Sequence, residues 1–62
     1  MKNTRVRFAM LEAKITQKEL AKACGTTQPQ FSAVLGMFEL AKKEQDKLIA
    51  TIKELKAAKE KQ

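Results

Sequence analysis

The chain has no histidine, tryptophan or tyrosine, and only one cysteine, one proline and two glycines. Each scarcity excludes something. Cys24 has no second cysteine to bridge, and without histidine a zinc site is short of ligands. The missing aromatics, and the absence of an alternating β-branched run, remove the usual signals for strands. No stretch approaches the roughly 18 apolar residues of a membrane span. The opening Met1-Lys2-Asn3-Thr4-Arg5 lacks the apolar run of an export leader, so a cytoplasmic protein is expected. Acidic side chains are scattered, and no glycine-rich phosphate loop occurs. No general acid–base pair is assembled, so neither an enzyme nor a cofactor or small-molecule ligand is expected.

What remains is a basic, helix-forming sequence of 62 residues, enough for one domain with a small core. The net charge is +6. Residues 1–38 hold six basic and two acidic side chains and residues 39–62 hold seven and five, so the excess sits mainly in the first part. Such a balance favours an anionic partner such as nucleic acid.

Apolar spacing predicts an all-α domain of four helices over about 4–13, 17–24, 28–35 and 41–59. In the first, Val6, Met10 and Ala13 share a face with Leu11 beside them, and Asn3 is the candidate cap. Phe8 lies off that stripe, where it could meet the last helix. Thr16-Gln17-Lys18-Glu19 is a capping box opening the second helix, and Gly25 is placed to end it in a left-handed turn. Thr27 and Gln30 suggest a second box, Pro29 suits a first turn, and Gly36 is the expected stop. The shared core of this pair is expected from Leu20, Cys24, Phe31 and Val34, with Ala21 small enough for a close crossing. Ala, Lys, Glu, Gln and Leu then run without a breaker to about Lys59, where helix propensity is high.

Two capped helices joined by a glycine turn, the second polar at its start, form the arrangement that reads a DNA major groove. Gln28 and Gln30 offer hydrogen bonds there, with Ser32 and Ala33 one turn on. Gln17-Lys-Glu-Leu-Ala-Lys-Ala-Cys-Gly-Thr-Thr-Gln-Pro-Gln-Phe-Ser-Ala-Val-Leu-Gly36 resembles the motif of the Cro/CI-type (XRE-like) repressors. Gly25-Thr26-Thr27-Gln28 is especially similar to lambdoid phage repressor domains, and the likeness covers roughly residues 3–36. The resemblance implies a transcriptional repressor in which Gln17 binds phosphate, Gln28 pairs with a base edge and Ala33 faces the groove. Arg5, Arg7, Lys14, Lys18 and Thr27 are the further candidates for phosphate contact.

Three features depart from the family pattern. Pro29 stands where a base-reading polar residue is common. Met10 and Leu35 stand where some relatives carry an ion pair, a change that cores tolerate. One long last helix replaces two shorter ones. A single reading helix covers few base pairs, so a homodimer on a palindromic operator is expected, with half-sites about 34–36 Å apart. Leu48 and Ile49 are assigned to the core, and Ile52 and Leu55 to a weak dimer surface. The rival reading is the same fold used as a protein-binding module of anti-repressor or antitoxin type, which exposed Phe8 and Phe38 would favour. A membrane-surface role for the last helix ranks third, because its apolar face has no large aromatic anchors.

Overall fold

The computed structural model describes residues 2–61, which form four helices: α1 Thr4–Ala13, α2 Gln17–Ala23, α3 Gln28–Met37 and α4 Lys42–Glu60. No strand occurs among the described residues. α1 lies along α4, α2 packs on α3, and α2 also touches α4. Val6, Met10, Ile15, Leu20, Ala21, Phe31, Leu35 and Ile52 make the buried core, flanked by the half-buried Leu40, Leu48, Ile49 and Leu55.

Helix ends are built locally. At α2 the capping box is complete: Glu19 N–H donates to Thr16 Oγ1 at 3.1 Å, and Thr16 N–H donates to Glu19 Oε1 at 3.0 Å. α2 closes with the paired bonds of a Schellman turn. Gly25 N–H reaches Lys22 O at 3.1 Å and Thr26 N–H reaches Ala21 O at 2.9 Å, with Gly25 at φ 76°. Nothing would obstruct a Cβ at Gly25, so its requirement is the backbone conformation itself. α1 ends in the same motif, with Lys14 in the left-handed position at φ 58°. There Lys14 N–H bonds Leu11 O at 3.2 Å and Ile15 N–H bonds Met10 O at 2.9 Å. The hydrophobic contact that commonly accompanies this turn is available, since Ile15 and Met10 are both buried.

Several expectations are corrected. Asn3 does not cap α1 through its side chain; it is fully buried at φ 58° and reaches across the fold. Its Nδ2 donates to Leu35 O at 3.0 Å and Phe38 O at 2.7 Å, and its Oδ1 accepts from Leu40 N–H at 2.8 Å. Its own N–H donates to Glu39 Oε2 at 2.6 Å. These bonds end α3, so Gly36 is an ordinary helical residue and the chain leaves at Phe38 in extended conformation. Gln30 does not close a second box: its N–H donates to Thr27 Oγ1 at 3.4 Å, while its Oε1 accepts from the Thr26 hydroxyl at 2.9 Å. Cys24 is exposed and Val34 is 39% exposed, so neither joins the α2–α3 core. Leu11 turns outward at 76%, and Phe8 stays 59% exposed instead of being covered by α4.

The largest correction concerns α4. Ile52 is 1% exposed and belongs to the chain's own core, and Leu55 packs against that core. The stripe reserved for a second copy is taken by α1, which lies along α4. A charge introduced at Ile52 would be buried without a partner and would destabilise the domain itself.

Asn3→Ala should cost about 3 kcal/mol in urea unfolding, because Leu35 O, Phe38 O and Leu40 N–H lose their partner together. Asn3→Gly should recover about 1 kcal/mol of that loss, since glycine tolerates the left-handed backbone. An Asn3→Ala variant within about 0.5 kcal/mol of the parent would show that the amide bonds contribute little.

Candidate nucleic-acid interface

α3 carries no charged side chain from Gln28 to Met37. Phe31 and Leu35, four apart, turn inward and fix its orientation. Gln28, Ser32 and Ala33 are consequently exposed, and Pro29 and Ala33 form a low outer ridge. Gln28 is the first residue of the helix, immediately after the Thr27 cap, with its side chain open to solvent. Gln30 is exposed too, but its carbonyl oxygen is engaged by Thr26, leaving its NH2 for another partner. The start of the outer surface of α3, at Gln28, Gln30 and Ser32, is therefore uncharged and offers donors and acceptors, while Val34 and Met37 leave apolar surface toward its end.

Positive charge is arranged around α1 and α2. Arg7 and Gln17 line one surface depression together with Met10, Leu11 and Ile15. The Arg7 Nε donates to Lys2 O at 3.0 Å, which orients the guanidinium. Lys18 is exposed near the start of α2, and Lys14 is exposed in the turn before it. Thr27 is exposed, with its hydroxyl oxygen occupied as the α3 cap. Arg5 is drawn elsewhere: its Nη2 meets Asp46 Oδ1 on α4 at 2.9 Å. The fold thus brings Arg7 and Gln17 to one depression, leaves Lys14 and Lys18 each exposed in the turn and at the start of α2, and pairs Arg5 with α4 instead.

A residue not anticipated from sequence completes this edge. Lys59, near the end of α4, donates from Nζ to Lys14 O at 3.2 Å and lies 2.8 Å from Glu19 Oε2. One ammonium therefore holds the left-handed end of α1 and the capping carboxylate of α2. Only the path of α4 brings it there, so no local pattern could have shown it. The Lys59 hydrogen bond, helped by the Thr16 N–H, holds the Glu19 carboxyl below its ordinary value of 4.5. At Cys24 partial burial pushes the thiol up, so it stays protonated at neutral pH.

No family model, curated protein or solved structure matches the chain. Among the described residues no group of three or more Cys, Asp or Glu could hold a metal ion, and no helix is long and apolar enough to cross a membrane.

A lowered folded-state value means that the Glu19 interaction contributes fully above the unfolded carboxyl range. That contribution is lost as pH falls through the depressed value. In Lys59→Met, the Glu19 carboxyl should titrate measurably closer to 4.5 by carbon-detected NMR. An unchanged Glu19 titration would remove Lys59 as the main cause.

Proposed function

We propose that this chain is a sequence-specific double-stranded-DNA-binding transcriptional regulator, of phage- or mobile-element-repressor type, that reads the major groove with α3. The observation carrying this reading is the α2–α3 pair itself. Two short helices share Leu20, Ala21 and Phe31, turn tightly at a left-handed Gly25, and leave an uncharged polar surface at Gln28, Gln30 and Ser32. A helix entering a groove needs that combination: rigid seating from behind, and hydrogen-bonding groups without bulk or like charge in front. The resemblance of residues 17–36 to Cro/CI-type repressors supports the same assignment.

In this reading Gln28 makes the principal base contact, with Gln30, Ser32 and Ala33 beside it. A glutamine presents a donor and an acceptor matching N6 and N7 of adenine. Arg7, Lys14, Gln17, Lys18 and Thr27 serve the phosphates, which position the protein without reading sequence. Arg5 is left out because it lies on the α4 side of α1, beside Asp46, whereas Arg7 two residues on points to another side of the helix. Two copies bind a palindromic operator, since one α3 spans only a few base pairs.

The second reading, a protein-binding module, rests on Phe8, Met37 and Phe38, which are 59%, 67% and 58% exposed. Gel shifts on duplex DNA separate the two. DNA binding should weaken steeply with salt, and Lys18→Ala should lower the salt slope by about one unit without loss of fold. Affinity indifferent to salt, or no shift at low salt, would favour the protein-binding module.

Site selection from random duplexes gives the operator needed for the second measurement. On the best site Gln28→Ala should cost about 1–3 kcal/mol and relax preference at one base pair per half-site. Equal losses on selected and random DNA would mean that Gln28 reads no base.

A further inference from the structure

α1 has two apolar faces, and the fold uses one of them. Val6 and Met10 are buried against α4 and the rest of the core, with Ala9 and Ala13 partly covered beside them. On the opposite side, at helical spacing, Phe8 and Leu11 are 59% and 76% exposed. Phe8 is one of only three phenylalanines in the chain.

The charges bordering this face have a pattern of their own. Arg5 and Glu12 are seven residues apart, two helical turns, and so lie along the same edge of α1. Arg5 is bound at one end to Asp46 of α4, 2.9 Å away. At the other end Glu12 shares a depression with Lys53 and Lys56 of α4. Asp46 and Lys53 are again seven apart and opposite in sign. The edge therefore reads Arg5 with Asp46 at one end and Glu12 with Lys53 at the other.

We propose that this outer face of α1 is a self-association surface, on which two copies of the chain pair antiparallel about a two-fold axis. A two-fold axis in the plane between two facing helices reverses their direction but keeps each edge on its own side. Arg5 then faces the partner's Glu12, Asp46 faces the partner's Lys53, and Phe8 meets the partner's Phe8 near the axis. A parallel two-fold pair would instead carry the Arg5–Glu12 edge to the opposite side of the interface, where it meets no matching charges of its own kind. A uniformly acidic or basic partner would meet attraction at one group and repulsion at the next, so the alternation of sign selects a second copy. The Arg5–Asp46 pair does not prevent this. It is exposed, engages one Nη group, and leaves most of the guanidinium N–H groups available.

A ten-residue helix is about 15 Å long, and a face of that size falls below a standard stable interface. The net charge of +6 on each copy opposes pairing further. The association is weak and needs moderate salt to screen that repulsion. It does not rest on DNA binding, and its test contains no DNA.

Sedimentation equilibrium from about 10 µM to about 1 mM, in about 0.15 M salt, reads it directly. A reversible monomer–dimer equilibrium is expected. Phe8→Ser and Leu11→Ser should each weaken it about tenfold while leaving the thermal melt near the parent, because both side chains are exposed. Arg5→Glu and Glu12→Arg should each weaken it about threefold or more, and reversing Arg5, Glu12, Asp46 and Lys53 together, which keeps every pair opposite in sign, should restore the parent value within about threefold. A chain that is monomeric throughout overturns the proposal. So does a dimer that survives both serine variants, or one lost to Met37→Ser with Phe38→Ser instead. Failure of the fourfold reversal to recover pairing overturns the antiparallel register.

Discussion

Asn3 is one side chain on which the whole arrangement hangs. Its amide is fully buried, and both ends of it are used: two carbonyls and one N–H of the α3–α4 link are bonded to it. A helix end and a helix start pointing into a core would otherwise leave polar backbone unpaired, which is costly in a low-dielectric interior. Asparagine suits the position because it offers donors and an acceptor on one rigid group and tolerates the left-handed backbone. Aspartate would turn a negative oxygen toward two carbonyls. Gln45 acts in the same direction from the far side of the link: its Nε2 donates to Leu40 O at 2.7 Å, and the residue is nearly buried. Between them, two amide side chains replace the glycine and the N-terminal cap that this junction lacks.

The long α4 then works as a strut. Near its start Asp46 meets Arg5, in its middle Ile52 enters the core, and near its end Lys59 grips the α1–α2 turn. The apolar contact dominates energetically. Burying one isoleucine stabilises by about 1.5–3 kcal/mol, whereas exposed ion pairs add about 0–1 kcal/mol each. The ion pairs matter more for register. Arg5 and Lys59 fasten the two ends of α4 to elements far apart in sequence, and so fix how α1 and the α2–α3 pair are presented.

Much of this could be read without coordinates, and the reason is locality. The start of α2 is written in Thr16 and Glu19, three residues apart, and its end in Gly25. Those signals are satisfied by neighbours, so the sequence alone places them. The bounds of all four helices came within two residues for the same reason. What escaped depends on distant partners. Asn3 bonds to residues 32 to 37 positions away, and Lys59 to Lys14 across 45. Ile52 looked available for a second copy because nothing local shows that α1 lies along it. Leu11 looked like a core residue because it follows Met10, yet one step along a helix turns a side chain through about 100°. For the candidate interface, the exposure of Gln28, Ser32 and Ala33 follows from the inward spacing of Phe31 and Leu35. The diversion of Arg5 and the use of the Gln30 oxygen by Thr26 did not follow from any spacing.

The bonds at Asn3 also turn residues 3–40 into a closed loop sealed without a covalent link. Closing a ring of that size costs the chain about 3 kcal/mol in configurational entropy by the three-halves RT ln n rule, besides a constant term. Four hydrogen bonds worth about 1 kcal/mol each roughly offset that cost and leave little over. The surplus that keeps the ring shut has to come from α1 lying along α4, an association between segments about forty residues apart in a chain whose α2–α3 hairpin is made of near neighbours. The hairpin is therefore the low-contact-order half of the topology and the α1–α4 clasp the high-contact-order half. On topology alone the clasp carries the larger closure entropy and the hairpin the smaller, because the hairpin's partners are near neighbours in the chain.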